Sequence, residues 1–178
     1  IVEKNIEEIL TDHAYCEQKA ATSGISLIIR YPEKTELQDL VAGLVAEEWG
    51  HFRKVLKELK KRGLQLGVKR KDEYVNQLFD FRKKGGKRDE QLMEELLVFA
   101  LIEARSCERF RLLSLHINDD SLKEFYHDFM VSEAGHYRMF IDLAKNYASE
   151  EVVKKRWEEY LEFEAQLIEK LEWRSDRV

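Results

Sequence analysis

The sequence contains little of what interrupts helices or cross-links a chain. One proline and eight glycines among 178 residues leave few breaks, which favours long helices over an all-β fold. Two cysteines, Cys16 and Cys107, are too few for a disulfide framework, and we expect both in the core. No run approaches the roughly 20 apolar residues that span a bilayer, and the first residues lack the layout of a signal peptide. We therefore expect a cytoplasmic, almost entirely helical protein.

Apolar residues recur with the 3.6-residue period of amphipathic helices along most of the chain. The long helices are predicted at residues 5–30, 35–62, 89–115 and 121–147, an additional one at 149–178, and a short one at 72–81. In the additional helix we expect Trp157, Leu161, Leu167 or Ile168, and Leu171 to be buried. The proportions predict one all-α domain over residues 1–178, a ferritin-like four-helix bundle with an additional C-terminal helix. Residues 63–88 would form a long crossover between helices 2 and 3.

Two predicted core faces carry polar residues where apolar ones are expected. Glu48 and His51 in the second helix, and Glu133 and His136 in the fourth, stand three positions apart and overlie one another on a helix. The other E-x-x-H of the fourth helix, at residues 124–127, lies about 180° round the helix, so we expect it to face water. The two core-face motifs are therefore candidate metal-binding motifs.

A glutamate on the preceding helix accompanies each of these motifs. Glu17 lies 31 positions before Glu48, and Glu103 lies 30 positions before Glu133, so the chain is a weak internal duplication. Uncompensated burial of four carboxylates and two imidazoles costs several kcal/mol per charge, and two divalent cations would offset that cost. Two bridging glutamates, with one further Glu and one His for each metal, form the di-iron or di-manganese sites of ferritin-like bundles. The predicted metal ligands, which are also the predicted catalytic residues, are Glu17, Glu48, His51, Glu103, Glu133 and His136.

Other polar residues compete for these roles. Glu108 remains an alternative to Glu103 if the duplication is aligned on the cysteines. Glu47 points about 100° away from the core face and is expected at the surface. His13 lies one turn before Glu17, either as a hydrogen-bond partner of that carboxylate or as an ordinary buried histidine.

Positive charge is concentrated in the predicted crossover. Residues 62–91 hold nine Lys or Arg and five Asp or Glu, whereas the whole chain has a net charge of −5. A basic loop on an acidic bundle is a candidate surface for phosphates, and the interleaved Tyr74, Phe79 and Phe81 are candidates for stacking on bases. The alternative is a solvated loop whose charge opposes aggregation.

Five short sequence motifs lie along the four long helices and their connections. They are DHAYCEQKAA at residues 12–21, RYP at 30–32, EEWGHF at 47–52, ALIEARSCERF at 100–110 and SEAGHY at 132–137. Together they resemble the MiaE family, the tRNA 2-methylthio-isopentenyladenosine hydroxylases. The resemblance implies an O2-dependent, non-haem di-iron monooxygenase that hydroxylates the isopentenyl group of the modified adenosine beside the tRNA anticodon. It places the family's ligands on the same six residues.

The resemblance also implies cofactors and partners. These are two iron ions, O2 as co-substrate, the tRNA anticodon arm, and a separate reductase or ferredoxin-type electron donor, since the chain has no G-x-G-x-x-G motif. Two other classes share the ligand pattern: a ferritin-like peroxidase or iron-handling protein, and a di-iron hydroxylase of another substrate such as a quinone. A hydroxylase of a membrane quinone would show an apolar or basic amphipathic helix facing the membrane, and no predicted helix is conspicuously apolar on its outer face.

Overall fold

A computed structural model describes residues 5–69 and 71–171, and this part of the chain contains six α-helices and no strand. The helices are α1 (Ile6–Arg30), α2 (Thr35–Lys61), α3 (Glu73–Phe81), α4 (Arg88–His116), α5 (Asp120–Ala144) and α6 (Glu150–Lys170). The predicted helices are present, with bounds that differ by three residues or fewer wherever both ends are described. The last residues of the predicted additional helix, 172–178, lie outside the described part of the chain. None of the described helices is long and apolar enough to cross a bilayer.

Polar side chains begin several of these helices. Asp72, Asp119 and Ser149 each accept a hydrogen bond from the backbone N–H three residues further on, at 3.3, 3.0 and 3.4 Å. Such caps satisfy N–H groups that have no partner within the helix, and each typically contributes about 1 kcal/mol. At α2, Thr35 is already helical, and Lys34 before it makes no side-chain cap.

The first of two compact units comprises the described residues up to 71 and is built on the antiparallel pair of α1 and α2. The two helices approach closely at Gly24, where a Cβ atom would lie 2.5 Å from Val45 Cγ2. The segment after α2 folds back on α1, because Gly67 N–H donates to Thr11 Oγ1 at 3.1 Å. Tyr15 in turn donates to the Gly67 carbonyl at 3.0 Å. This unit therefore holds α1 and α2 in one fixed register.

The second compact unit begins at Asp72 and is built on the antiparallel pair of α4 and α5, with α3 and α6 packed on α4. Every residue from 92 to 101 of α4 is buried, which makes this helix the centre of the unit. Phe110 of α4 packs against Tyr126 and Phe129 of α5, with ring centroids 5.6 Å away in both cases. Aromatic packing of this kind fixes the register of the pair.

A buried ion pair joins α6 and the end of α3 to α4. Arg156 donates from Nε and Nη2 to the two carboxylate oxygens of Glu94 at 2.6 and 2.9 Å, and from Nη2 to the Phe81 carbonyl at 3.0 Å. Tyr160 Oη and the Lys83 backbone N–H also donate to Glu94, at 2.8 and 3.1 Å. Burial disfavours both charges, but these bonds lower the pKa of Glu94 and raise that of Arg156. Both groups therefore stay ionised inside the protein.

The predicted buried face of α6 is correct at Leu167 and wrong at three other positions. Leu161 is 42 % exposed, and Trp157 and Leu171 are half-buried. The residues that α6 buries are Val153, Arg156, Tyr160 and Leu167. The reason is the ion pair between Arg156 and Glu94. Hydrophobic periodicity places an arginine on the solvent side of a helix, so the face predicted from it differs from the face that is buried.

Both cysteines are free and half-buried, so the expectation of two core residues is wrong. Cys107 Sγ donates to the Met130 carbonyl at 3.4 Å, across the α4–α5 pair. Cys16 Sγ lies 4.0 Å from Asp12 Oδ2 on its own helix. Each thiol therefore lies at the edge of a helix pair.

Candidate metal centre

The first unit brings three of the six predicted ligands together. Glu17 on α1 and Glu48 and His51 on α2 each offer a ligand atom, and these atoms lie within 4.8 Å of one another. His51 Nδ1 is 3.4 Å from Glu17 Oε2 and 3.9 Å from Glu48 Oε2. The three residues are 3, 1 and 4 % exposed, so water barely reaches them. Two carboxylates and one imidazole in this arrangement are a donor set for one divalent metal ion.

Two carboxylates beside His51 favour the charged form of its imidazole. Burial favours the neutral ring, but the negative charges of Glu17 and Glu48 close to it outweigh burial and raise the pKa of His51 to about 9. The ring is therefore protonated at neutral pH. Because metals bind the neutral imidazole, a metal ion must displace this proton.

Glu17 has a second imidazole beside it. His13, one turn earlier on α1 and 0 % exposed, places Nε2 2.8 Å from Glu17 Oε1. Of the two possibilities left open by the sequence, the structure favours the one in which His13 is a partner of Glu17. The contact leaves Glu17 Oε2 as the oxygen on the side of His51.

The second unit repeats this donor set. Glu103 on α4 and Glu133 and His136 on α5 are 6, 1 and 7 % exposed, and their ligand atoms lie within 4.8 Å of one another. His136 Nδ1 is 3.5 Å from Glu133 Oε2. Its other ring nitrogen, Nε2, is 3.5 Å from the Ser132 hydroxyl. Each unit thus supplies two carboxylates and one imidazole.

The two donor sets fit divalent metal ions. Within the described part of the chain, Glu17 Oε2 and Glu133 Oε2 are buried oxygens that accept no hydrogen bond. Leaving a buried acceptor without a donor costs about 1–3 kcal/mol, and more when it is charged. A cation removes this cost, and mixed carboxylate and imidazole ligands suit iron and manganese. The chemistry of the residues therefore fits one metal ion for each donor set.

The two acids that compete for the ligand roles are exposed. Glu103 is buried, whereas Glu108 is exposed and paired with Arg105. Glu47 is exposed as expected, although its Oε1 lies 3.7 Å from His51 Nε2. The geometry therefore favours Glu103 over Glu108 as the ligand from α4.

The third E-x-x-H motif is exposed, as predicted from its place on the helix. Glu124 and His127 both face water on α5. The motif has the same spacing on the same helix as Glu133 and His136 but lacks their burial. It is a matched control for any experiment on the buried pair.

The residues before the two buried histidines are glycines that packing does not require. A Cβ atom added at Gly50 or at Gly135 would meet no atom within 4 Å, apart from the local helix backbone and chain neighbours. Both positions lie in helix interiors, where glycine is less favourable than alanine by about 1 kcal/mol.

Five Lys or Arg cluster in residues 82–88, which we call the basic turn. Gly85 and Gly86 both have φ near 85°, a conformation that allows the chain to turn before α4. Residues 83–88 are exposed. The backbone at the start of the turn is anchored through the bonds of Arg156 to residue 81 and of Glu94 to residue 83. Sequence reasoning missed this anchor, whose one signal is the pair of acids inside the apolar run 92–101. Arg70, another predicted basic residue, lies outside the described residues.

The aromatic residues near the basic turn are engaged inside the second unit. Tyr74 donates to Glu164 Oε1 at 2.6 Å, and burial is the main cause of its raised pKa. Phe81 stacks on Phe163 with centroids 4.0 Å apart, and Phe79 packs edge-on against a ring of α4. Stacking of these rings on bases therefore stays a prediction, which the structure does not test. Packing uses the rings and leaves the basic side chains as the exposed feature.

The chain is similar to known tRNA-modifying proteins. A family model described as tRNA-(MS[2]IO[6]A)-hydroxylase (MiaE) matches residues 2–175. The tRNA 2-(methylsulfanyl)-N(6)-isopentenyladenosine(37) hydroxylase of Pseudomonas putida is 40 % identical over 144 residues, which are 81 % of this chain and 69 % of that protein. The protein of the same name from Salmonella typhimurium is 26 % identical over 214 residues, with 93 % and 77 % covered.

A solved structure has the same fold. It is titled "Protein 43 with aldehyde deformylating oxygenase activity from Synechococcus", with a TM-score of 0.91 and 32 % identity, and the match covers 98 % of this chain and 86 % of that chain. The predicted all-α, ferritin-like fold is confirmed by this match. With the family match over residues 2–175, it follows that the chain belongs to the MiaE family of tRNA hydroxylases.

Proposed function

We propose that this protein uses O2 and a di-iron centre to hydroxylate the isopentenyl group of 2-methylthio-isopentenyladenosine beside the tRNA anticodon. The observation that carries the proposal is the buried donor set in each unit, in a chain of this family. The proposed ligands of the two iron ions are Glu17, Glu48, His51, Glu103, Glu133 and His136. A tRNA substrate agrees with the cytoplasmic location expected from the sequence.

The reaction places one oxygen atom of O2 into a C–H bond of the prenyl group and releases the other as water, with two electrons and two protons consumed. Bound iron supplies the activation of O2, which no side chain here provides. The carboxylates and imidazoles of the two donor sets hold the metal ions in place. Because the chain has no dinucleotide-binding motif, we assign electron delivery to a separate reductase or ferredoxin-type protein.

Apolar side chains lie within one turn of the ligands. Leu44 and Val55 are four residues before Glu48 and four after His51, and both are buried on α2. Phe129 and Phe140 hold the corresponding buried positions on α5. These side chains exclude water from the donor sets, which protects a reactive oxidant, and they match the apolar prenyl tail of the substrate.

The basic turn is the proposed contact for tRNA phosphates. Its charges are exposed and concentrated in seven residues, while the whole chain has a net charge of −5. Phosphate contacts by Lys and Arg make binding dependent on salt. The modified base must leave its stack for the prenyl group to reach buried iron, so we expect the base to be extruded.

Other substrates remain chemically possible on this fold, and the Synechococcus protein with aldehyde deformylating oxygenase activity is one example. A peroxidase or an iron-handling protein would use the same six ligands, and a quinone hydroxylase would use a similar set. None of these alternatives gives a role to the basic turn, and the family match favours tRNA.

The test is a single-turnover reaction. Protein loaded with Fe2+ is reduced and mixed with O2 and tRNA that carries 2-methylthio-isopentenyladenosine, and the nucleosides are then weighed by mass spectrometry. We expect the nucleoside to gain one oxygen atom, and we expect Glu133→Ala to abolish the gain while the matched control Glu124→Ala retains it. No gain from a protein that holds iron would contradict the proposed substrate, and peroxide consumption in its place would favour the peroxidase alternative.

A further inference from the structure

The two halves of the duplication differ one turn before the first glutamate. Position 13 precedes Glu17 by four residues, and position 99 precedes Glu103 by four residues. Residues four apart lie on the same helix face. The first position holds histidine, a hydrogen-bond donor, and the second holds Phe99, which has no donor.

His13 is placed to hold the carboxylate of Glu17. Its side chain is fully buried, and Nε2 lies 2.8 Å from Glu17 Oε1. The other carboxylate oxygen, Oε2, is the one that lies 3.4 Å from His51 Nδ1. The contact at Oε1 thus restricts the rotation of the carboxylate and leaves Oε2 on the side of His51.

Phe99 has a different environment in the second unit. Its ring packs against Phe79 and Phe140, with centroids 6.0 and 5.5 Å away. It is 7 % exposed and contributes to the apolar core of that unit. The duplication therefore preserves the ligands but not the histidine that contacts one of them.

We propose that His13 is a positioning residue whose Nε2 contact with Glu17 Oε1 orients that carboxylate and thereby strengthens metal binding by the donor set of the first unit alone. This inference rests on the proposed metal centre. A polar partner outside the ligands orients a metal-binding group before the metal arrives, and its loss typically costs about 10- to 100-fold in metal affinity.

The test is an anaerobic Co2+ titration followed by visible absorption and calorimetry, with helicity checked by circular dichroism. We expect His13→Phe to weaken the binding of one of two Co2+ ions by about 10- to 100-fold and to leave the affinity for the other unchanged. His13→Gln should restore most of the affinity, because its amide N–H reaches about the position of Nε2. Phe99→Leu, the matched buried substitution in the second unit, should leave both affinities unchanged.

Three results would overturn parts of this account and can be told apart. Wild-type affinity for both ions in His13→Phe would refute the role of His13. Equal losses in His13→Phe and His13→Gln would refute the polar contact at the Nε2 position as its cause. A wild-type protein that binds no Co2+ would instead contradict the proposed metal centre. If His13→Phe does not fold, the affinities of His13→Gln and His13→Asn decide. The side chain of Asn does not reach the position of Nε2, so the His13→Asn protein should bind one ion more weakly than the His13→Gln protein does.

Discussion

Replacement of Arg156 by methionine tests how the second unit is held together. The guanidinium makes two hydrogen bonds to Glu94, at 2.6 and 2.9 Å, with side chains that are 5 and 4 % exposed. Removing one partner of a buried ion pair leaves an uncompensated charge and costs about 3–5 kcal/mol. For a chain of this size, that loss lowers the melting temperature by roughly 6–20 °C.

The assay is urea unfolding followed by circular dichroism, with two companion variants. Glu159 also binds Arg156, at 2.7 Å, but its side chain is 34 % exposed, so Glu159→Ala should cost at most about 1 kcal/mol. The double variant Glu94→Gln/Arg156→Met removes the stranded charge and keeps an acceptor for Tyr160, so it should be more stable than Arg156→Met alone.

The stability contribution of the Glu94–Arg156 pair should also change with pH in a defined direction. The pKa of Glu94 is lowered in the folded protein, so its contribution is complete above its ordinary value of 4.5 and is lost as the pH falls through the lowered value. The stability difference between the wild type and Arg156→Met should therefore shrink at acid pH. A loss below about 1 kcal/mol at pH 7, or a double variant no better than the single one, would refute the reasoning.

Other predictions follow from the metal centre, the glycines and the basic turn. Metal binding at pH 7.5 should release a proton from His51, whose pKa is about 9, and the number of protons released should fall above pH 9. Calorimetry in buffers of different ionisation enthalpy measures this number. Metal binding without proton release at pH 7.5 would contradict the prediction. Gly50→Ala and Gly135→Ala should each stabilise the protein by about 0.5–1 kcal/mol, measured by urea unfolding, because the added Cβ meets no atom. Lys84→Glu/Lys87→Glu should weaken tRNA binding and reduce its salt dependence in filter-binding assays, with iron content unchanged. An unchanged salt slope would exclude the basic turn from the contact.

The candidate site could be predicted because its residues break a strong pattern. Glu48 and Glu133 stand inside apolar stripes, and a buried carboxylate needs a compensating partner. The helix period alone placed them on core faces and placed Glu124 in water, where the structure has it. The helices were predictable for the same reason, since one proline in 178 residues leaves few places to end them.

The remaining features depend on contacts between distant parts of the chain. Arg156 is buried because Glu94, 62 positions earlier, accepts its hydrogen bonds, and the acids inside the apolar run 92–101 do not indicate which basic residue lies beside them. The ring of Phe81 stacks on Phe163 of another helix, a contact that its sequence neighbours do not indicate. The role of His13 was left open because spacing places it beside Glu17 without fixing the 2.8 Å contact.

The most direct measurement of the central claim is the iron content of purified, anaerobically loaded protein. We expect two iron ions per chain in the wild type and in the exposed-motif variants Glu124→Ala and His127→Ala. Glu133→Ala and His136→Ala, which change the same motif in its buried copy on the same helix, should lose at least one of them. Unchanged iron in both buried-motif variants would contradict the assignment of these residues as ligands.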